Sequence, residues 1–176
     1  MADIPHKPFE SWPERSTADP RKATYAQYMH GFKEILSYEG PMQALSMFQT
    51  YAKASGLMKI TASVRRRCEF YLKKGIDDGE IILEKEADSE LKSEDDSVGW
   101  IVRLPDRPAV EVRTLGTRGF GEIPMGELAA IVLEIRSGDE FIGRDEIYRG
   151  VLEHYELQKL TALVRRRLNK VLEIYY

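Results

Sequence analysis

Two arginine triplets are the residues of this sequence whose type and spacing most clearly indicate a chemistry. The segment KITASVRRR at residues 59–67 recurs as KLTALVRRR at residues 159–167, and seven of the nine positions are identical. A basic helix face attracts a polyanion and contacts its phosphate groups. The triplets therefore indicate phosphate binding as the first chemistry to consider.

Helical spacing separates the three arginines of each triplet. Apolar residues recur every three or four positions, which places Arg65 and Arg66 opposite this stripe and Arg67 at its edge. The stripe of the first copy is Ile60, Val64, Cys68, Tyr71 and Leu72. The stripe of the second copy is Leu160, Val164, Leu168, Val171 and Leu172. The candidate phosphate contacts are Lys59, Arg65, Arg66, Lys159, Arg165 and Arg166.

The charge around the triplets is positive, although the chain as a whole has a formal net charge of −3. Residues 53–74 hold seven Lys or Arg against one Glu, and residues 157–170 hold five basic residues and no acidic one. Such a face is the expected electrostatic footprint of a nucleic-acid-binding protein. The alternative is a solvated helix face in which one or two arginines pair with carboxylates of the preceding helices.

Catalytic and metal-binding chemistry has little support in the sequence. His6, His30 and His154 stand alone, without an HExxH motif or a pair at ligand spacing. Cys68 lies on the apolar stripe, where a thiol behaves as a small buried hydrophobe. The glycines of residues 116–121 fit neither GxGxxG nor a P-loop. We therefore expect no enzyme activity, no metal and no cofactor.

Composition limits the class of protein further. Of 176 residues, 43% are hydrophobic and 31% are charged, which is typical of a soluble globular chain with a packed core. No run of about 18 apolar residues occurs, and the single cysteine permits no internal disulfide. We expect a cytoplasmic protein without a membrane partner, and the sequence leaves the oligomeric state open.

The first copy has the pattern of three helices followed by a hairpin. Apolar spacing predicts a helix from Tyr25 to about Tyr38, a second one after Pro41, and a third one that Thr61 caps and that reaches about Lys74. Two β-prone runs at residues 81–83 and 100–102 predict a hairpin with a wide tip. Three helices and a hairpin are the winged-helix arrangement, in which the third helix reads DNA and the hairpin is the wing.

The second copy repeats the helices near residues 126–136, 144–154 and 161–174 and ends before any wing. The sequence thus predicts a mostly α protein with minor β (α+β), built from tandem winged-helix-like modules. The predicted boundaries are an extended arm at 1–23, module 1 with an acidic wing at 24–104, a linker at 105–121 and module 2 at 122–176.

The predicted wing is strongly acidic. Residues 77–96 hold ten Asp or Glu against two Lys, so this tip would repel a phosphate backbone. The hairpin then points away from DNA, folds onto a basic partner, or shields its own arginine face. A mobile, solubilising loop is the simplest interpretation.

Several short motifs resemble a known domain. They are SYEGP at residues 37–41 before a helix, the hairpin, EIP at residues 122–124 before the second copy, and the arginine-bearing third helices. Together they resemble an uncharacterised winged-helix-like domain at the C-terminus of large bacterial superfamily 1 DNA/RNA helicases, which also carry a very-short-patch-repair-type endonuclease domain. The resemblance spans roughly residues 25–176, but this chain lacks the helicase and nuclease parts. It implies an accessory module near DNA transactions, without activity of its own.

Two functions follow as hypotheses. The first is a non-catalytic DNA-binding or DNA-adjacent accessory protein that uses the six candidate phosphate contacts. The second is an interaction module that docks onto a helicase- or nuclease-type subunit through the acidic wing and exposed aromatic residues. Fold alone does not decide between them, because winged helices serve both purposes.

Overall fold

The computed structural model describes residues 6–86 and 97–176. These residues form six α-helices and one small antiparallel sheet, which confirms the prediction of a mostly α protein with minor β. Within the same residues, every helix is too short or too polar to cross a membrane. The chain divides into two compact units. The first unit contains Glu10–Lys85 and residues 97–109, and the second contains residues 6–9, Glu86 and Val110–Tyr176.

Three helices form the body of the first unit: α1 (Tyr25–Glu39), α2 (Ala44–Ala54) and α3 (Ala62–Asp77). Thr24 caps α1 in a capping box with Gln27, and the Thr61 hydroxyl caps α3 by accepting from the Val64 amide, as the sequence predicts. Helix α3 continues past its predicted end near Lys74. It passes through the buried Gly75, where a Cβ atom would lie only 2.5 Å from the Met29 sulfur, so glycine permits close packing of α1 on α3.

The core of the first unit is aromatic. Tyr28, Phe32, Phe48 and Tyr51 are fully buried, and the rings of Tyr28 and Tyr51 stack with centroids 5.2 Å apart. The buried stripe of α3, formed by Val64, Cys68 and Leu72, belongs to the same core. Burial raises the pKa of the Cys68 thiol to about 12, so this cysteine is a neutral hydrophobic residue at physiological pH.

A three-stranded sheet closes the first unit. It contains β1 (Met42–Gln43), β2 (Ile82–Lys85) and β3 (Trp100–Arg103) in the antiparallel order β1-β3-β2. Val102 pairs with Leu83 on one side and with Met42 on the other. The pairing of β2 with β3 confirms the predicted hairpin, whereas the two-residue strand β1 has no signal in the sequence. Residues 87–96, which carry much of the acidic tip, lie outside the described residues.

The second unit repeats the three helices as α4 (Met125–Ser137), α5 (Arg144–His154) and α6 (Ala162–Tyr175). Its core is mainly aliphatic and includes Leu128, Val132, Val151, Val164 and Leu168. The helix boundaries agree with the predicted ones to within one residue at each end, because the apolar spacing and the caps are local signals.

One residue of the predicted arm pairs with the predicted linker within the second unit. Lys7 forms a parallel bridge with Arg113, in which the Lys7 amide donates to the Val112 carbonyl at 3.1 Å and the Thr114 amide donates to the Lys7 carbonyl at 2.9 Å. Trp12, by contrast, is buried in the core of the first unit. Residues 6–9 therefore belong to the second unit and residues 10–23 to the first, and the second unit contains the chain from Val110 onward.

Candidate functional site

The third arginine of each triplet has a folding role. The Arg67 guanidinium donates to the carbonyls of Pro20 at 2.9 Å and Ala23 at 3.5 Å. Arg167 does the same at the carbonyls of Phe120, at 2.6 Å, and Ile123, at 2.7 Å. Both arginines thus fasten the turn before the first helix of their copy to the third helix. The sequence separations are 47 and 44 residues in both copies, so the repeat extends into residues 20–23, which the sequence assigns to the arm.

The start of the third helix is also the same in both copies. Thr61 and Thr161 accept hydrogen bonds from the amides of Val64 and Val164 at 3.2 and 3.3 Å, and each valine is 3% exposed. The two valines therefore have the same cap contact and the same burial in their own copies. Contacts that fold each copy thus explain the shared threonine, valine and third arginine of the two segments.

The first two arginines of the first copy have different surroundings. The Arg65 Nε donates to Glu69 Oε1 at 2.9 Å, and its Nη2 donates to Ser97 Oγ at 3.3 Å. The buried Ser97 hydroxyl donates to the same Glu69 oxygen at 2.5 Å. Arg66 and Lys59 are exposed. The charge of Arg65 is therefore largely compensated by a carboxylate of its own helix, whereas Arg66 faces solvent.

The second copy lacks this acidic partner. Asn169 occupies the position that corresponds to Glu69, and it accepts a hydrogen bond from the Tyr148 hydroxyl. Arg165, Arg166 and Lys159 are all exposed. Across residues 6–86 and 97–176, none of the ion pairs joins Arg165 or Arg166 to a carboxylate. Among the described residues, Arg165 and Arg166 therefore present two positive charges without a carboxylate partner on the outer face of α6, and Lys159 adds a third just before the helix begins.

Two arginine–carboxylate pairs bear on the alternative that the triplets pair with the preceding helices. Arg65 pairs within α3, and the carboxylate Glu34 of α1 is bound instead by Arg15 at 2.8 Å. Further along α3, Lys73 lies 5.6 Å from the Trp100 ring centroid and Lys74 lies 4.4 Å from that of Tyr25. The six candidate contacts thus fall into two sets of three, each with two arginines in the N-terminal half of a third helix and one lysine just before it.

A buried charged cluster in the second unit is absent from the sequence-based predictions. Glu127 in the first turn of α4 is 1% exposed and accepts two hydrogen bonds from the Arg118 guanidinium, at 2.8 and 2.9 Å. The same carboxylate lies 3.4 Å from Arg113 Nη2 and accepts from the Tyr155 hydroxyl at 3.3 Å. The Phe9 ring covers the guanidinium of Arg118, with its centroid 4.6 Å away.

This cluster is structural in character. Burial lowers the pKa of Arg113, and the nearby Glu127 carboxylate opposes that change, so the two charges depend on each other. Both oxygens of Glu127 are occupied by donors from the chain itself. Arg118, in the glycine-rich segment, is therefore committed to Glu127. A sequence feature that marks this cluster is Glu127 itself, which stands at the position of Gln27 in the first copy.

Two of the three histidines, His6 and His154, lie side by side in the second unit. His6 Nε2 lies 2.9 Å from Glu134 Oε2, and its ring meets the His154 ring edge-on with centroids 4.6 Å apart. Burial lowers the pKa of His154, so this ring is neutral at physiological pH. In the part of the chain that the structure describes, no three His, Cys, Asp or Glu side chains are grouped so that they could hold a metal ion.

Comparison with known proteins found no matching family model, no matching curated protein and no matching solved structure.

Proposed function

We propose that the chain is a non-catalytic DNA-binding accessory protein that contacts the phosphate backbone through the outer faces of α3 and α6. In this proposal the first copy is a winged helix, with α3 as the reading helix and the β2–β3 hairpin as the wing. The second copy is a winged-helix-like bundle without a full wing. The resemblance to a helicase-associated domain agrees with such an accessory role.

The order of the elements supports the winged-helix assignment. In the first unit α1, β1, α2, α3, β2 and β3 follow one another, and β3 lies between the other two strands. In helix-turn-helix proteins, the second helix of the motif enters the major groove and presents its N-terminal residues to DNA. Helix α3 has that place in the chain, and Arg65 and Arg66 lie in its first two turns.

The proposal is supported mainly by the different roles of the three arginines within each triplet. The third arginine is used for folding in both copies, whereas Arg66, Arg165 and Arg166 face solvent. The fold does not require positive charge at these outer positions, yet both copies have it. Because phosphate contacts are made by exposed Arg and Lys side chains on one face, such a surface suits a nucleic-acid backbone.

Fluorescence anisotropy with a labelled duplex tests this proposal. At about 50 mM salt the wild-type chain should bind duplexes of unrelated sequence with similar affinity, because phosphate contacts carry no base information. The double variant Arg165→Ala with Arg166→Ala should bind more weakly. A matched control removes the same two charges from α5, by Arg144→Ala with Arg149→Ala, and should retain most of the affinity.

The result that would refute DNA binding is equally definite. If the wild-type chain binds neither duplex nor single-stranded DNA or RNA at this salt concentration, the nucleic-acid proposal fails. Docking onto a helicase- or nuclease-type partner then becomes the better proposal. Affinity purification from the native host with and without nuclease treatment would separate direct partners from DNA-bridged ones. That partner, the absence of a cofactor and the cytoplasmic location stay predictions.

A further inference from the structure

Phe70 is an exposed aromatic residue on the outer side of α3. Its side chain is 64% exposed, and its ring meets the ring of Tyr71 edge-on with centroids 5.2 Å apart. Arg66 precedes it by four residues and Lys73 follows it by three. Residues at these spacings are neighbours on a helix surface. We call Arg66, Phe70 and Lys73 the Phe70 patch.

The packing of α3 does not require an aromatic residue at this position. The helix is held in the core by Val64, Cys68 and Leu72, which are buried on its opposite side. The corresponding position of the second copy is Lys170. Apolar surface in water is unfavourable, and an exposed ring within a basic surface can stack on a base of a nucleic acid.

We infer that the Phe70 patch binds an unpaired base of single-stranded nucleic acid. The ring of Phe70 stacks on the base, while Arg66 contacts a flanking phosphate. Aromatic side chains within a basic surface bind single strands in this way with little sequence preference. Duplex bases stack on each other and do not offer their faces, so Phe70 distinguishes unpaired strands from duplex. This inference rests on the proposed function, because the same face must reach nucleic acid.

Charge complementarity favours this ligand over an apolar protein surface. A protein that buried Phe70 would also have to remove the charge of Arg66 from water, which is costly without an acidic partner. A nucleic acid supplies a π-face and two phosphates at the spacing of one nucleotide. The contrast is Phe141, which is 93% exposed but follows Asp139 and Glu140, where a phosphate backbone is repelled.

The test compares three labelled ligands: an oligothymidylate strand, a strand of the same length with abasic sites, and a duplex. Phe70→Ala should weaken binding of the oligothymidylate strand about 5- to 150-fold, which is the loss of one stacked base. Binding of the abasic strand and of the duplex should change by less than about twofold. Phe141→Ala is the matched control for the loss of an exposed aromatic residue and should change none of the three affinities.

Two further variants of Phe70 separate stacking from general hydrophobic contact. Phe70→Trp retains a ring and should keep the affinity for the oligothymidylate strand, with its added indole fluorescence quenched when the strand binds. Phe70→Leu keeps an apolar side chain without a ring and should bind as weakly as Phe70→Ala. Arg66→Ala should weaken binding of all three ligands, because every one of them carries phosphates.

The outcomes distinguish this inference from the function on which it rests. If Arg66→Ala weakens binding but Phe70→Ala leaves the oligothymidylate affinity unchanged, base stacking is refuted and phosphate binding stands. If Phe70→Ala weakens all three ligands equally, Phe70 acts on the surface as a whole and the stacking inference is also refuted. If the wild-type chain binds none of the ligands, the proposed function itself fails.

Discussion

The third helices of the two copies begin alike and differ one turn later. Thr61 and Thr161 form the same cap, and Arg67 and Arg167 bind the same pair of carbonyls in their own copies. At the next position of the outer side, however, the first copy has Glu69 and the second has Asn169. The interactions that fold the helix are therefore shared, while the charge that it presents to solvent differs.

The first helices differ in a complementary way. Gln27 in the first turn of α1 is exposed and completes a capping box with Thr24. Glu127 at the equivalent position of α4 is buried and holds Arg113 and Arg118. In the first unit, a sheet and an aromatic core complete the three-helix fold. In the second unit, residues 6–9 and 110–118 do so around an ion cluster. The same position of the repeat thus caps a helix in the first copy and binds buried arginines in the second.

The largest expected difference in stability is between a substitution at Glu127 and one at Gln27. Glu127→Ala should lower the free energy of unfolding by about 3 to 5 kcal/mol, because it leaves two buried guanidinium groups without their carboxylate. Gln27→Ala removes an exposed capping contact and should cost less than about 1 kcal/mol. Urea denaturation followed by circular dichroism measures both. Equal losses would show that the Glu127 cluster does not support the second unit.

The arginine triplets should show an effect of intermediate size. Arg67→Ala and Arg167→Ala each remove charged hydrogen bonds to two carbonyls, and each should lower the stability by about 2 kcal/mol or more. Arg66→Ala and Arg166→Ala change exposed side chains and should stay within about 0.5 kcal/mol of wild type. Thermal unfolding of the four variants tests whether the third arginine stabilises the fold and the second does not. An equal loss of stability in all four variants would contradict this difference.

A smaller effect is expected where the second helix of each copy ends. Gly56 has φ of 92° in the first copy, and Glu156 has φ of 55° at the equivalent position. A residue with a Cβ atom is strained in the left-handed region, so Glu156→Gly should raise the stability by about 1 kcal/mol. The conservative substitution Glu156→Gln keeps the Cβ atom and should leave the melting temperature unchanged. A lower melting temperature for Glu156→Gly would argue against strain at this turn.

The smallest expected effect is the change in duplex affinity when the residues at positions 69 and 169 are exchanged. Asn169→Glu places a carboxylate four residues after Arg165, and Glu69→Asn removes the one that binds Arg65. At low salt the first change should weaken duplex binding a few-fold and the second should strengthen it by a similar factor. Titration of both variants against one duplex measures the difference. The same direction of change in both would contradict compensation by Glu69.

The sequence predicts the helices and the repeat well, because both depend on local signals. The caps at Thr61 and Thr161 and the spacing of Val64, Cys68 and Leu72 determine where α3 lies and which side is buried. The exposed positions of Arg66 and Arg166 follow from the same spacing. Each of these features involves residues within about one helical turn of each other.

Features that depend on distant residues escape prediction. Glu127 in a first turn has the pattern of a surface residue. Its partner Arg113 and the covering ring of Phe9 come from other parts of the chain. The arm and the linker have no period of their own, so their packing is visible only in the fold. The pairing of Arg65 with Glu69 is at helical spacing in the sequence, but the contribution of Ser97 comes from the far side of the hairpin.

The salt dependence of duplex affinity tests most directly whether the third helices bind phosphates. For the wild-type chain, log K should fall linearly with log salt concentration, and Arg165→Ala with Arg166→Ala should reduce the magnitude of that slope by about 1.8, for two lost contacts. Arg65→Ala with Arg66→Ala should reduce it by about 0.9, because Glu69 already compensates Arg65. Slopes that are unchanged in both double variants would contradict phosphate binding by α3 and α6.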